Sequence, residues 1–386
     1  MEVREFKKPV KVIEKPKQKT ALKPAGRMDF PLLLAVLIIS AFGLIMVFSA
    51  SYYYAQSAFG DGLHYFKSQL LFLVIGIPIM LGLSKLNYKL LLKFKLHIIG
   101  LLLTVALLLL VLVIGVERNG ARRWIQIGSL IPFQPSELAK FALILFMAAF
   151  MGQYPERLNS FFKSVVPMLL VMALICVPIL LQPNMSMIVI IGLVGIAMMF
   201  IGGVKIKHLM LILITMIAAF VLLIVIEQYR FDRILVYTDP WKNPRGDGYQ
   251  IIQSLYALGS GGLFGKGLSF SHQKLLFLPY SESDFIFSII GEELGYFFCI
   301  LLMLFYLFII YRGIKIAIKC KDKFGSLLAA GITIVMGLQV IVNMGVTMCV
   351  LPPTGQTLPF ISAGGTSLFV YLAAMGVLLN ISRNTT

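Results

Sequence analysis

Charge is scarce in this sequence, and negative charge most of all. Asp and Glu number 17 in 386 residues, and the four charged residue types together reach only 13%. With 59% hydrophobic residues and a mean hydropathy of +0.90, this excludes an ordinary soluble domain, where charged residues run at about a quarter. Strict alternation of apolar and polar residues with regular turn signals is also missing, which argues against a membrane β-barrel. The four cysteines, Cys176, Cys299, Cys320 and Cys349, are scattered, three of them inside apolar runs. They lack metal-ligand spacing and read as packing residues. The four histidines, His64, His97, His208 and His272, form no cluster either. Neither a metal site nor a Cys/His catalytic pair is supported.

What the sequence has in abundance is apolar runs long enough to cross a bilayer as helices. Ten are legible, over about 30–50, 68–83, 96–116, 136–153, 165–182, 185–203, 209–228, 284–311, 326–349 and 363–382. The fold class expected is therefore an all-α integral membrane protein of ten spans. The formal charge of +17 follows that topology and does not indicate a nucleic-acid partner. Lys and Arg concentrate in the N-terminal tail, the alternate loops 84–95, 154–164, 204–208 and 312–325, and the C-terminal stub. The positive-inside rule then puts both termini in the cytoplasm and the long loop 230–283 outside. Residues 1–28 are rich in Lys and Pro and are expected to be a disordered cytoplasmic tail, ahead of a ten-helix domain over 29–386. This tail reads as a solvated orientation signal, or as a contact for anionic lipid or a cytosolic partner. The first run is too long for a secretory signal, so an uncleaved anchor is expected.

Four segments break the pattern, and all of them fall on the outer face. Loops as long as 230–283 are usually functional or disordered, and this one holds too many aromatic and aliphatic residues for disorder. Its part "GYQIIQSLYALGSGGLFGKGLS" starts as an amphipathic helix and ends in glycines. "GGLFGKG" superficially resembles a phosphate loop, but the Walker spacing would need Gly at Ser260 and Ser or Thr at Gly267. A nucleotide site is rejected, leaving a surface hairpin or a loop whose amides and Lys266 approach a phosphate. In "GARRWIQIGSLIPFQPSELAK", Arg122 and Arg123 flank an interfacial Trp124. Their planar donor forks suit phosphate or carboxylate. Glu137 and Lys140, three apart at the start of a span, share a face, and such groups by default point into a cavity or pair with each other. "LLQPNMSM" brings the amides of Gln182 and Asn184 to the outer face, and "LPPTGQTLPFISAGGTSL" places irregular backbone between the last two spans. Irregular backbone at membrane depth must be buried in protein or line a cavity.

The chemistry concentrates in "LPYSESDFIFSIIGEELG", residues 278–295, which holds Glu282, Asp284, Glu292 and Glu293. A helix starting near Ser283 would put Asp284 in its first turn, where the helix dipole favours the carboxylate. Gly291 and Gly295 form a small-xxx-small pair that would admit a neighbouring helix. At least one of the two adjacent glutamates is expected to pair with a cation or polar group inside the bundle. Asp284, at the water boundary, is suited to accept a proton from a sugar hydroxyl.

At these residues the sequence resembles a known family. "GARRWI", "QPSELAK", "DPWKNPRGDGYQIIQSLYALGSGGLFGKGLSFSHQKLLFLPY", "SDFIFSIIGEELG" and "PTGQTLPFISAGGTSL" are similar, in order and spacing, to the SEDS proteins of shape, elongation, division and sporulation. The wording is closer to the FtsW and sporulation branch than to RodA, and only the basic tail is left uncovered.

The resemblance implies a multi-pass protein of the bacterial cytoplasmic membrane, a peptidoglycan glycosyltransferase that polymerises lipid II at the outer face. It implies a class B penicillin-binding protein as transpeptidase partner, other divisome or sporulation proteins as further partners, a divalent cation such as Mg or Mn, and no organic cofactor. Asp284 would be the catalytic base, with Arg123 and Lys140 neutralising the diphosphate. Arg122, Glu137, Gln182, Lys266, Lys274 and Ser362 complete the substrate-binding candidates, supported from behind by Glu282 and Glu293. Two departures stand out. Tyr280, Glu282 and Ser283 occupy the places of the family's Glu, His and Thr, and Asn184 replaces an aspartate, so Glu282 either assists Asp284 or raises its pKa by like-charge proximity. A lipid II flippase and a non-catalytic scaffold for the transpeptidase are the competing functions.

Overall fold

The chain's structure is a computed structural model that describes residues 26–118, 121–127, 131–226, 236–246 and 248–385. The basic tail, through residue 25, lies outside the described residues, as do 227–235 and 247 of the long loop.

Every apolar run becomes a helix, because in hydrocarbon only a helix satisfies each backbone group within its own segment. The helices are α1 (Phe30–Phe59), α2 (His64–Lys85), a single turn α3 (Leu90–Lys93), α4 (Leu96–Ile114), α5 (Pro135–Gln153), α6 (Val166–Leu181), α7 (Met185–Gly202) and α8 (Ile206–Ile226). They continue with α9 (Tyr249–Ser260), α10 (Ile286–Lys319), α11 (Lys323–Thr347) and α12 (Gly365–Ser382). Among the described residues nine are long and apolar enough to cross a membrane, and the tenth expected span falls on α8, which meets the apolar criterion over Ile206–Ala218. Helices α5, α11 and α12 are the most enclosed, with α12 against α2 and α11 between α10 and α5.

One end of the bundle is tied by its helix termini. Asp29 caps α1 by accepting from Leu32 N at 3.0 Å and pairs with Arg312 of α10 at 2.6 Å, while its own amide donates to Ser382 of α12. The other end collects the irregular segments. Here the sequence reading missed a small antiparallel sheet of β1 (Val116–Arg118), β2 (Ala121–Ile127) and β3 (Ile131–Phe133), in the order β1-β2-β3. The sheet docks on α12 through Thr366, whose hydroxyl donates to Pro132 O at 3.0 Å and accepts from Gln134 N.

Two features at this end differ from expectation. Helix α10 begins at Ile286 and not near Ser283, so Asp284 precedes the helix in a turn where Ser283 N and Phe285 N both bond to Tyr280 O. In addition, Gly291 and Gly295 receive the external loop and not a membrane helix. A Cβ on Gly291 would lie 2.5 Å from Leu258 of α9, and one on Gly295 2.3 Å from Gly265 N. Gly295 adopts φ 80°, breaking α10 in a conformation open to glycine. The carbonyls of Glu292 and Glu293 freed by this break accept from Lys266 N (3.0 Å) and Gly267 N (2.9 Å). The loop returns the bond, as Gly262 O and Leu263 O accept from Tyr296 N and Phe297 N. The glycine turn thus serves as a splint for a broken helix, and those two amides are committed to it and not to a phosphate.

The segment 351–364 re-enters the bundle. Phe360 packs against mid-α1, where a Cβ on Gly43 would meet Phe360 O at 2.3 Å, and Tyr306 of α10 donates to Pro359 O at 2.5 Å. Irregular backbone at this depth is satisfied by protein, as membrane interiors require.

Candidate active site

Asp284 is half-buried where three segments meet: the turn 280–285, the end of α11 and the re-entrant segment. Its backbone carbonyl accepts from Asn343 Nδ2 of α11 at 2.8 Å. The neighbouring turn residues are tied to the re-entrant segment, Ser283 O accepting from Ser362 Oγ at 2.6 Å and Glu282 O from Ala363 N at 2.8 Å. Across from the carboxylate stands Gly355, exposed, where a Cβ would lie 3.3 Å from Asp284 Oδ2. A glycine here keeps a side chain out of close contact with one carboxylate oxygen.

Arg123 reaches from β2 to the turn between α6 and α7, donating from Nε to Gln182 O at 3.0 Å and from Nη2 to Pro183 O. Gln182 in turn donates to Leu108 O of α4 at 3.0 Å. Arg122 is exposed and pairs across the sheet with Glu117 at 3.6 Å, a contact of small energetic weight.

Lys140, which the resemblance has neutralising a diphosphate, takes the other course left open for it and pairs with Glu137. It is 0% exposed, and its ammonium donates to Glu137 at 2.9 Å and to Gln339 of α11 at 2.7 Å, 5.5 Å from the ring centroid of Tyr371. Gln339 Oε1 also accepts from Tyr371 OH, and Gln339 Nε2 faces Gln356 Oε1 at 3.5 Å. The pair therefore holds α5, α11, α12 and the re-entrant segment together behind the site.

Both adjacent glutamates of α10 are paired, one more than the sequence required. Glu292 accepts from Lys266 (2.7 Å), Ser271 (2.5 Å), His272 N (3.1 Å) and Gln273 N (3.2 Å). Glu293 accepts from Lys274 at 2.7 Å and Ser49 at 2.8 Å, wholly buried. Lys266 and Lys274 are therefore engaged in fastening the external loop, and Ser362 in fastening the turn that carries Asp284.

Glu282 is buried, and desolvation raises its carboxyl pKa above the ordinary carboxylate range, against weaker opposing hydrogen bonds from its own amide and Ser281. Burial, not the charge of Asp284, is the dominant cause. A raised folded-state value means that the stabilisation by this group is present below its unfolded value, about 4.3. It is lost as pH rises through the folded value. Glu282→Gln should therefore flatten the pH dependence of unfolding and raise the unfolding midpoint at neutral pH, with polymer synthesis kept within a few-fold. Thermal unfolding of both proteins from pH 4.5 to 8 reads the first effect. A lower midpoint in the variant at pH 7 would contradict it.

Among the described residues no three His, Cys, Asp or Glu side chains come together. No step is assigned to a cation.

Comparison with known proteins settles the family. The model of the FtsW, RodA and SpoVE family, described as "Cell cycle protein", matches residues 30–386. The chain belongs to the SEDS family. Stage V sporulation protein E of Bacillus subtilis is 40% identical to this SEDS chain over 359 residues, 92% of this chain and 97% of that protein. A probable peptidoglycan glycosyltransferase FtsW of Geobacter metallireducens is 37% identical over 367 residues, 94% and 97% of the two chains. A chain in the structure of a peptidoglycan synthase complex, described for its coordination of polymerization and crosslinking, superposes with a TM-score of 0.74. It is 28% identical, covering 93% of this chain and 98% of that one. The rod shape determining protein RodA of Thermus thermophilus gives 0.67 at 27% identity, covering 92% and 97%.

Asn343, Gln339, Gln356 and Tyr371, around Asp284 and its frame, and Ser49, at the Glu293–Lys274 pair, were not singled out from sequence. One signal was available: Gln339 and Asn343 lie four apart within the apolar run of α11, which puts two amides on one face of a membrane helix.

Proposed function

We propose that this SEDS protein is a peptidoglycan glycosyltransferase that polymerises lipid II, serving division or sporulation. The observation that carries the reading is the end-to-end likeness to chains named peptidoglycan glycosyltransferase and to a sporulation protein, 37–40% identical over more than nine-tenths of the sequence. The site is assigned to the loop-bearing end of the bundle. Asp284 Oδ takes the proton of the acceptor sugar's 4-hydroxyl, and that oxygen forms a bond to the anomeric carbon of the donor. The anomeric carbon–oxygen bond breaks with inversion, and its electron pair leaves on undecaprenyl diphosphate. Arg123, fixed on the Gln182–Pro183 turn, supplies positive charge toward the diphosphate. Lys140 acts from behind, holding the frame in which Asp284 is set.

The Lys and Arg distribution supports an extracytoplasmic site, since the cation-rich loops lie at the opposite end. A class B penicillin-binding protein is the partner assigned. The similar chain from a peptidoglycan synthase complex supports that choice.

The test is synthesis of glycan strands from purified lipid II by the detergent-solubilised complex, with the transpeptidase blocked and a known polymerase as control. In micelles there is no bilayer to cross, so a flippase leaves lipid II unchanged while a polymerase lengthens it. Strands from the wild-type complex are the expected result. Unreacted lipid II beside a working control overturns the proposal in favour of transport or scaffolding.

A further inference from the structure

The end of α11 carries a residue whose geometry exceeds what packing requires. Asn343 is 1% exposed, and its single amide nitrogen donates to two carbonyls from different segments, Asp284 O at 2.8 Å and Gln356 O at 2.7 Å. An amide NH2 has two hydrogens, so both donors are used. A hydroxyl could serve only one of these carbonyls, and a carboxylate neither. The orientation is fixed as well, because a flipped amide would turn its oxygen onto two carbonyl oxygens. The residue before Gln356 is Gly355, where a Cβ would lie 3.3 Å from Asp284 Oδ2.

We infer that Asn343 is a positioning residue for the polymerisation reaction, holding the backbone of Asp284, and with it the carboxylate that meets the acceptor hydroxyl, in register with the Gly355–Gln356 backbone. The inference rests on Asp284 being the base. It does not require Asn343 to hold the fold together. The turn 282–284 keeps two other tethers, Ser362 Oγ to Ser283 O and Ala363 N to Glu282 O, and Gln356 keeps its side-chain approach to Gln339. Loss of Asn343 therefore loosens the position of one carboxylate within a bundle that stays assembled. A misplacement of about 1 Å at a reacting group can lower a rate by about a hundredfold.

The experiment measures steady-state polymerisation over a range of lipid II concentrations, using the full chain co-purified with its transpeptidase partner. Wild type, Asn343→Ala, Asn343→Ser and Asp284→Asn are run together, with partner retention and thermal stability recorded for each. Asn343→Ala is expected to lower kcat by about 10- to 100-fold, with KM for lipid II within about twofold and the complex intact. Asn343→Ser, which keeps one donor, should fall between it and wild type. It also carries the test if the alanine variant does not assemble.

A kcat near wild type in an intact Asn343 variant, with Asp284→Asn inactive, overturns the inference and leaves the base assignment standing. A loss expressed in KM alone overturns it too, since that is a binding role. Asp284→Asn at the wild-type rate overturns the base assignment and the inference with it.

Discussion

Lys140→Met is expected to destabilise the folded chain by about 3–5 kcal/mol, the cost of leaving one member of a buried ion pair without its partner. Methionine matches the length of the lysine stem, so the effect isolates the charge. Glu137 remains buried opposite it with no cation, and Gln339 Oε1 loses one of its two donors. The pair sits where α5, α11 and α12 meet, the most enclosed part of the bundle, so the loss is not relieved by water. The double variant Lys140→Met/Glu137→Gln should recover much of that stability, because replacing both ions removes their desolvation as well. Thermal unfolding in detergent reads this as a low midpoint for the single variant and a higher one for the double. A single variant as stable as wild type would show that the pair does not carry the frame.

The helices were legible because each apolar run is long and a bilayer leaves one local answer for it. The gathering of four irregular segments at one end was also legible, since each needs shelter from lipid. That one of Glu292 and Glu293 must be paired followed from the cost of buried charge, but that both are, with Lys266 and Lys274 lying 26 and 19 residues away, had to be seen.

What stayed hidden depends on contacts between distant segments. The sheet consists of strands of three, seven and three residues with a register shift between Val116 and Glu117, too short and irregular to leave an alternating pattern. Gly295 has the spacing of a helix-packing motif, yet it is where α10 breaks, because the glycine turn 261–267 offers amides to the freed carbonyls. Lys140 carried the charge expected of a phosphate ligand, and only the packing of α11 and α12 around it showed that it is enclosed. Asn343 looks like an isolated amide in an apolar run until Asp284, 59 residues away, is placed beside it.

The chemical claim rests on Asp284. A positioned general base contributes about 10²- to 10⁴-fold to a proton transfer, and Asn in its place keeps the size and the backbone bonds while removing proton affinity. The carbonyl of residue 284 would still accept from Asn343, and the tethers of residues 282 and 283 would be untouched. Asp284→Asn should therefore fold, keep its transpeptidase and lose its rate by that factor without a matching change in KM. The decisive measurement is glycan strand formation from purified lipid II by wild-type and Asp284→Asn complexes side by side, with the transpeptidase blocked in both. Strands from the wild type and almost none from an intact Asp284→Asn complex is the result predicted. Equal strands from both would contradict the account and remove Asp284 from the reaction.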